Sequence, residues 1–256
     1  MNAYRELAAD YDENFHNGYR EKIQDGIIFN VLNELLPKGR GKILDAGGGT
    51  GFYSLPLASK GHQVTILDIS REMLDVAERK ARKMGLADRV RIFQGNMEEI
   101  DVGSSEFDLV MCHLALCHAA EPSRALREFR RVLKDDGLLS LVVENRLFFS
   151  LAEAFKGNLD SALERLRMSE PYIDLSGLGR LRTFSRDEVL SSLSEAGFIP
   201  LRVMGLRILS DYLMYSTRSE PQDLDSLKNI EEFLSNVDPV NGMGRFHFVI
   251  ARTKHV

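Results

Sequence analysis

Residues 42–70 read KILDAGGGTGFYSLPLASKGHQVTILDIS, and the order of features in this stretch decides the fold. Ile43 and Leu44 make a short apolar run that ends at Asp45, a glycine-dense turn spans 47–51, and a helical pattern opens at Phe52. A second apolar run, 64–67, ends at Asp68, so the stretch has the length of one right-handed βαβ crossover. Glycines without Cβ let a ligand approach the backbone, and an acid at the tip of the second strand can accept hydrogen bonds from both ribose hydroxyls. An adenosine-containing cofactor is therefore expected here. A dinucleotide site needs G-x-G-x-x-G with the pyrophosphate on the helix N-terminus. The spacing here is instead Asp45-x-Gly47-x-Gly49-x-Gly51, which argues against a nicotinamide dehydrogenase.

This D-x-G-x-G-x-G pattern resembles motif I of the class I S-adenosylmethionine-dependent methyltransferases, whose cofactor has no pyrophosphate. The resemblance implies that Asp45 and the backbone of Gly47, Gly49 and Gly51 meet the methionine moiety, with Asp68 on the ribose. Asn96, in Gly95-Asn96-Met97 after the run 90–93, falls where these enzymes recognise the adenine amine, although aspartate is commoner there. Ile69, Met97 and Cys112 complete the implied cofactor wall, with Tyr11 and Arg20 reaching it from the N-terminal side.

The 256 residues suffice for one large α/β domain with embellishment, and 44% apolar with 28% charged residues is ordinary for a globular chain. No run approaches a membrane span, and the N-terminus lacks the basic-then-apolar layout of a signal peptide, so a cytoplasmic protein without a membrane partner is expected. Cys112 and Cys117 lie in one short segment and suggest a reducing compartment. With His113 and His118 they form C-H-x-x-x-C-H, but the usual C-x₂-C spacing is missing and no metal is expected. A net charge of −5 gives no global nucleic-acid signal, which leaves only a local basic patch open.

Tyr4, Leu7, Ala8, Tyr11 and Phe15 make a helical stripe, and the resemblance implies that this segment folds over the cofactor as a lid. A helix over 23–36 follows, with Arg20 and Lys22 at its start, and one of the two, Arg20 first, is a candidate for the cofactor carboxylate. Ser70 is a good N-cap for the helix ending at Gly85, and 107–111 is the next buried run. His113, just past that strand, is expected to face substrate or cofactor, or else to be a satisfied structural donor. A helix over 124–133 and a strand over 138–143 continue the alternation, so a doubly wound, seven-stranded, mainly parallel sheet is expected. Glu144 and Asn145 end that strand at the ligand crevice. Residues 146–183 leave the βα rhythm and are expected to form a helical substrate cap. The rhythm returns with a capping box at Ser185 and Glu188, a strand at 198–206, a helix at 224–234 and a last strand at 246–251. The expected organisation is a single domain, with a lid at 1–40, a cofactor core at 41–145, the cap at 146–183 and the rest of the sheet at 184–256.

The chain is also similar, over about its whole length, to the tRNA 5-carboxymethoxyuridine methyltransferases, which methylate the carboxylate of a modified wobble uridine. The matching residues include Gly61-His62-Gln63-Val64, His113, Asn145, Gly157-Asn158, Gly205-x-Arg207, Asp211-Tyr212-Leu213 and Gly244-Arg245. Cys117 and His118 depart from that pattern. A carboxylate is already a nucleophile, so its esterification needs alignment and desolvation rather than a strong base. Arginine is the expected clamp: Arg207 first, then Arg245, then Arg202. Residues 145–218 hold ten Lys or Arg against nine Asp or Glu, and Arg180, Arg182 and Arg186 are candidates for a phosphate-facing patch. One alternative is a small-molecule methyltransferase in which His113 or His118 deprotonates an amine, hydroxyl or activated carbon. The other is a non-catalytic S-adenosylmethionine-binding protein.

Overall fold

The computed structural model describes residue 8 and residues 10–36, 40–167, 171–175, 179–217 and 221–254. Tyr4 and Leu7 of the expected lid stripe lie outside the described residues. Two helices come first, α1 (Tyr11–His16) and α2 (Tyr19–Leu35). Next is the unit seen in the sequence, β1 (Lys42–Ala46), α3 (Ser54–Ser59) and β2 (Gln63–Asp68). The glycine turn delays the helix by two residues, because Gly47, Gly49 and Gly51 all take positive φ (76°, 51° and 75°) before helical geometry begins. The alternation then runs α4 (Arg71–Lys83), β3 (Val90–Gln94), β4 (Phe107–His113), α5 (Pro122–Val132) and β5 (Leu133–Glu144). Ser70 caps α4 as expected, its hydroxyl accepting from the Met73 amide at 3.3 Å.

The cap holds helices α6 (Arg146–Phe155) and α7 (Leu159–Arg167), as expected, but it ends in a two-stranded hairpin of β6 (Tyr172–Leu175) and β7 (Gly179–Arg182). Each strand has four residues, and Ile173 and Leu181 are buried; the alternation is too short to stand out in the sequence. Helix α8 (Arg186–Glu195), strand β8 (Phe198–Leu206), helices α9 (Ser210–Thr217) and α10 (Leu224–Leu234) and strand β9 (Phe246–Thr253) complete the chain. The Ser185–Glu188 capping box forms in full.

The large sheet has the order β3-β2-β1-β4-β5-β9-β8, with β9 antiparallel to both neighbours. The fold expectation is thus met: seven strands, mainly parallel, with helices on both faces. Alternate residues of the strands feed two apolar layers. Val110, Cys112, Leu139 and Leu141 pack with α5 and α8, while Leu109, Met111 and Ile66 pack with α2, α3 and α4. Strand order reverses between β1 and β4, and the crevice outside their carboxyl ends is where an open α/β sheet takes its ligand. Among the described residues no helix is long and apolar enough to cross a membrane.

One buried acid fixes the far side of this crevice. Glu231 of α10 is fully buried and accepts hydrogen bonds from the amides of Ile208, Leu209 and Ser210 at 2.6–3.0 Å, satisfying the chain as it leaves β8 and enters α9. Glu231→Leu leaves three amides without acceptors and is expected to destabilise the chain by roughly 3 kcal/mol or more. Urea unfolding would show it as a lower midpoint with an unchanged slope.

Candidate functional site

The cofactor end is built from four loops that touch. The amides of Gly47 and Gly48 donate to the Leu67 carbonyl at 2.7 and 3.1 Å, which folds the glycine turn back over the end of β2. A Cβ on Gly47 would come within 2.3 Å of Ala115 Cβ and 3.2 Å of Met97 Cε, so this glycine brings the loops after β1, β3 and β4 together. Gly49 donates to Asp68 Oδ2 at 2.9 Å, and Ser70 donates to Asp68 Oδ1 at 2.8 Å. Two amides thus aim the half-buried carboxylate, whose remaining lone pairs can accept from a diol. Burial raises the Asp68 pKa, and the amides of Ser70, Gly49 and Ile69 pull it back.

Ile69 beside it is 53% exposed, an apolar platform at the mouth of the crevice. Asn96 is exposed and uses Oδ1 to accept from the Glu98 amide at 3.0 Å; this Asx turn fixes its orientation. Glu98, which sequence reading passed over, is buried and accepts from the amides of Ala120 and Glu121 at 2.9 and 3.0 Å, tying the loop after β3 to the loop after β4. Asp45 lies beneath the glycine turn, and burial pushes its carboxyl up to about 7, with Ser54 opposing and the Asp68 charge adding to the rise. The Cys112 side chain points into the core, fully buried between sheet and α5, so only its backbone is available to a ligand. Both cysteines are buried free thiols.

Helix α1 lies across this end of the sheet. Asp12 accepts from the Thr50 hydroxyl and from Lys80, each at 2.5 Å, and the His16 ring stacks on Phe52 with centroids 3.5 Å apart. His16 Nδ1 also meets Asp25 Oδ2 at 2.9 Å, and Asp25 accepts from the Tyr53 hydroxyl. The Tyr11 phenol is held well above its usual range, first by burial and then by the charges of Cys117, Asp68, Asp12 and Asp25. Arg20, in contrast, gives Nη1 to Asp211 Oδ1 at 2.7 Å on the opposite side of the site.

A second cluster of charged side chains gathers around β5, β8 and β9. Arg207 ends β8 with φ +58°, a left-handed conformation that costs a branched or long side chain energy and that recurs at functional sites. Its buried guanidinium gives Nη1 to Glu21 at 2.8 Å and Nη2 to Asp211 at 2.5 Å, so both ends of the fork are committed within the protein. Arg245 is different. Its Cζ lies 5.6 Å from the Phe148 ring and 5.2 Å from the Phe246 ring, and its nearest carboxylate contact is Glu144 Oε2 at 3.9 Å, beyond hydrogen-bond distance. Asn145 sets the loop that carries Arg245: Nδ2 donates to the carbonyls of Gly242 and Gly244 at 2.8 and 2.7 Å, and its amide donates to the Arg245 carbonyl at 2.9 Å. Glu144 Oε2 is buried without a partner, and burial pushes this carboxyl up to about 7 against the pull of Arg245 and Arg207. The third candidate, Arg202, makes a fork-to-fork pair with Glu34 on the surface, away from this cluster.

His113 sits edge-on to Tyr53 and Phe248, with Nε2 2.8 Å from the Ser140 hydroxyl and Nδ1 buried without a partner. Burial lowers its pKa to about 3, far from the range of an effective general base near neutral pH. Because the folded value lies below the ordinary 6.5, His113 contributes stability that is complete above pH 6.5 and is lost as the pH falls toward 3. His113→Asn keeps a donor for Ser140 but cannot titrate. Thermal unfolding of this variant is expected to fall less steeply than the parent between those limits.

Three comparisons bear on this geometry. Residues 44–141, which contain the glycine turn, Asp68, Asn96 and His113, match a family described as a methyltransferase domain. The tRNA 5-carboxymethoxyuridine methyltransferase of Escherichia coli is 26% identical, covering 97% of this chain and 95% of that protein. The chain carries a methyltransferase domain and is an S-adenosylmethionine-dependent methyltransferase. A malonyl-[acyl-carrier protein] O-methyltransferase of Geobacter sulfurreducens is 29% identical over 95% of the methyltransferase and 83% of its own length. A crystal structure from Thermotoga maritima, an S-adenosylmethionine-dependent methyltransferase with a possible histamine N-methyltransferase role, superposes with a TM-score of 0.62 at 20% identity, covering 99% of each chain. That likeness bears on the fold.

The residues present fit S-adenosylmethionine. Asp68 is a preset diol acceptor, Ile69 gives apolar surface for a purine, and the glycines at 47 and 49 let the turn pack closely on Ala115 and Met73 beside them.

Proposed function

We propose that this methyltransferase esterifies a carboxylate, and that the acceptor is the carboxymethoxy group of a modified wobble uridine in tRNA. The observation that carries the reading is Arg245. It is a guanidinium held between two aromatic rings at the crevice, making no side-chain hydrogen bond among the described residues, with a buried, partnerless carboxylate oxygen beside it. Its planar fork can take one acceptor oxygen and leave the second directed at the methyl group. The relation to the Escherichia coli tRNA enzyme over 97% of the chain supports the choice of acceptor.

When bound, S-adenosylmethionine supplies a sulfonium methyl group, which a carboxylate oxygen accepts while the S–C electron pair stays on sulfur and no proton is released. The protein's own contributions are binding, orientation and exclusion of water. Arg245 orients the acceptor, and Asn145 holds the loop that orients Arg245. Arg207, Glu21, Asp211 and Arg20 form the charged floor that keeps β8, α2 and α9 in register. Helix α1, latched by Asp12 to Thr50 and Lys80, covers the cofactor end. His113 needs no part in proton transfer, in keeping with its buried, neutral state.

The test is to incubate the protein with methyl-labelled S-adenosylmethionine and either bulk tRNA or a small-metabolite extract. Alkali-labile label is expected in the tRNA fraction. Label confined to metabolites would overturn the tRNA reading.

A further inference from the structure

The hairpin that ends the cap has two unlike faces. On one, Ile173 and Leu181 are cross-strand partners, and both are buried against the core. The other carries Tyr172, Asp174, Arg180 and Arg182, because alternate residues of a strand share a face. Tyr172 is 40% exposed, and the Arg180 guanidinium lies over its ring at 4.5 Å. One register step away, Arg182 lies 5.3 Å from the Phe184 ring. The Phe184 ring is itself buried in the core, so the aromatic surface on the outer face is Tyr172, with Arg180 over its ring and Arg182 as its cross-strand partner.

The hairpin is also fastened to the acceptor end. The Phe184 amide donates to the Glu144 carbonyl at 2.9 Å, and the Arg146 amide donates to the Phe184 carbonyl at 3.0 Å, so the strand leaving the hairpin lies beside the residues that end β5. The Arg146 side chain braces the junction, giving Nη2 to the Thr183 carbonyl at 3.0 Å and to Glu188 at 2.5 Å. The strand leaving the hairpin and the residues that end β5 are thus hydrogen-bonded neighbours.

We propose that the outer face of the β6–β7 hairpin is a docking surface for single-stranded RNA. An unpaired base next to the acceptor stacks on Tyr172, and Arg180 and Arg182 meet the flanking phosphates. Stacking on an aromatic ring tolerates any base, and an arginine beside it supplies charge without reading sequence. A local group of arginines is what lets a chain of net charge −5 engage a polyanion. Arg186, expected to share the patch, is hydrogen-bonded to Asp238, and Arg182 has the Glu188 carboxylate at 3.9 Å, which a phosphate would displace. The proposal rests on the tRNA reading for its choice of partner, but it is tested by binding alone.

The experiment is fluorescence anisotropy with a labelled anticodon stem-loop RNA, on the full chain and on Tyr172→Ala, Arg180→Ala and Arg182→Ala, across a salt series. Tyr172→Ala is expected to weaken binding about tenfold. Each arginine variant is expected to lower the magnitude of the salt slope by about one. Cofactor affinity is expected to be unchanged in all three, which shows that the fold is kept. Undiminished RNA binding by Tyr172→Ala combined with Arg180→Ala overturns the proposal, as does equal competition by a polyglutamate peptide or a fully paired RNA. If tRNA is methylated but the variants keep the parent KM, the hairpin proposal fails and the carboxylate reading stands. If the variants lose RNA but no tRNA is methylated, the outcome is reversed.

Discussion

Arg245→Ala is expected to lower kcat/KM for a carboxylate acceptor by about 10²–10³-fold, with cofactor affinity unchanged. Two charge-assisted hydrogen bonds to one acceptor, each worth about 1.5–3 kcal/mol, set that scale. Arg245→Lys keeps the charge but loses the fork and the planar contact with Phe148 and Phe246, and is expected to recover only a small part of the loss. The comparison with Arg207 is informative because the two arginines are built differently. Arg207 neutralises Glu21 and Asp211 in a buried setting, and its removal strands those carboxylates. Arg207→Ala is therefore expected to cost about 3–5 kcal/mol of stability, so a fall in its activity would report on the fold as much as on the acceptor. Arg245 is tied less tightly: among the described residues its ion pair is with Glu144 at 3.9 Å, beyond hydrogen-bond distance. Steady-state kinetics beside a thermal melt separates the two cases. Full activity in a folded Arg245→Ala would remove it from the acceptor site.

Asp68→Ala is expected to weaken cofactor binding by about 10²-fold or more. Bonds from two ribose hydroxyls to one carboxylate account for that magnitude. The substitution also frees the Gly49 amide, which now donates to Asp68 at 2.9 Å, and so loosens the glycine turn itself. Asp68→Asn keeps one acceptor for Gly49 and is expected to fall between alanine and the parent. Isothermal titration with S-adenosylhomocysteine reads both. Parent-like affinity in Asp68→Ala would mean that the cofactor's ribose lies elsewhere.

What could be read from the sequence follows the range of the forces involved. The Ser70 cap and the Ser185–Glu188 capping box are local, each satisfied within three residues, and each formed as expected; the glycine turn was legible from residue type, through positive φ at Gly47, Gly49 and Gly51, although its amides are satisfied by Leu67 and Asp68 on the next strand. Strand β8 and helix α10 also match their sequence reading residue for residue, because their flanking turns are strong. The acceptor end is long-range and was legible only as candidates. Arg207 meets Glu21 across 186 residues, Asn145 reaches Gly242 and Gly244 across nearly a hundred, and Glu231 caps a segment more than 20 residues earlier. No periodicity marks such partners. Arg207 and Arg245 resemble each other in the sequence, each two residues after or directly after a glycine, yet packing commits one to carboxylates and leaves the other between aromatic rings. Helix α9 was missed for a related reason: its start is satisfied by Glu231 rather than by a neighbouring cap residue.

The most direct test of carboxylate methylation is the mass spectrum of nucleosides from tRNA incubated with the protein and S-adenosylmethionine. The expected product is a carboxymethoxyuridine one methyl group heavier, which mild alkali returns to the starting nucleoside. A methylated nucleoside that survives alkali would place the methyl on nitrogen, carbon or a sugar hydroxyl and would contradict the account.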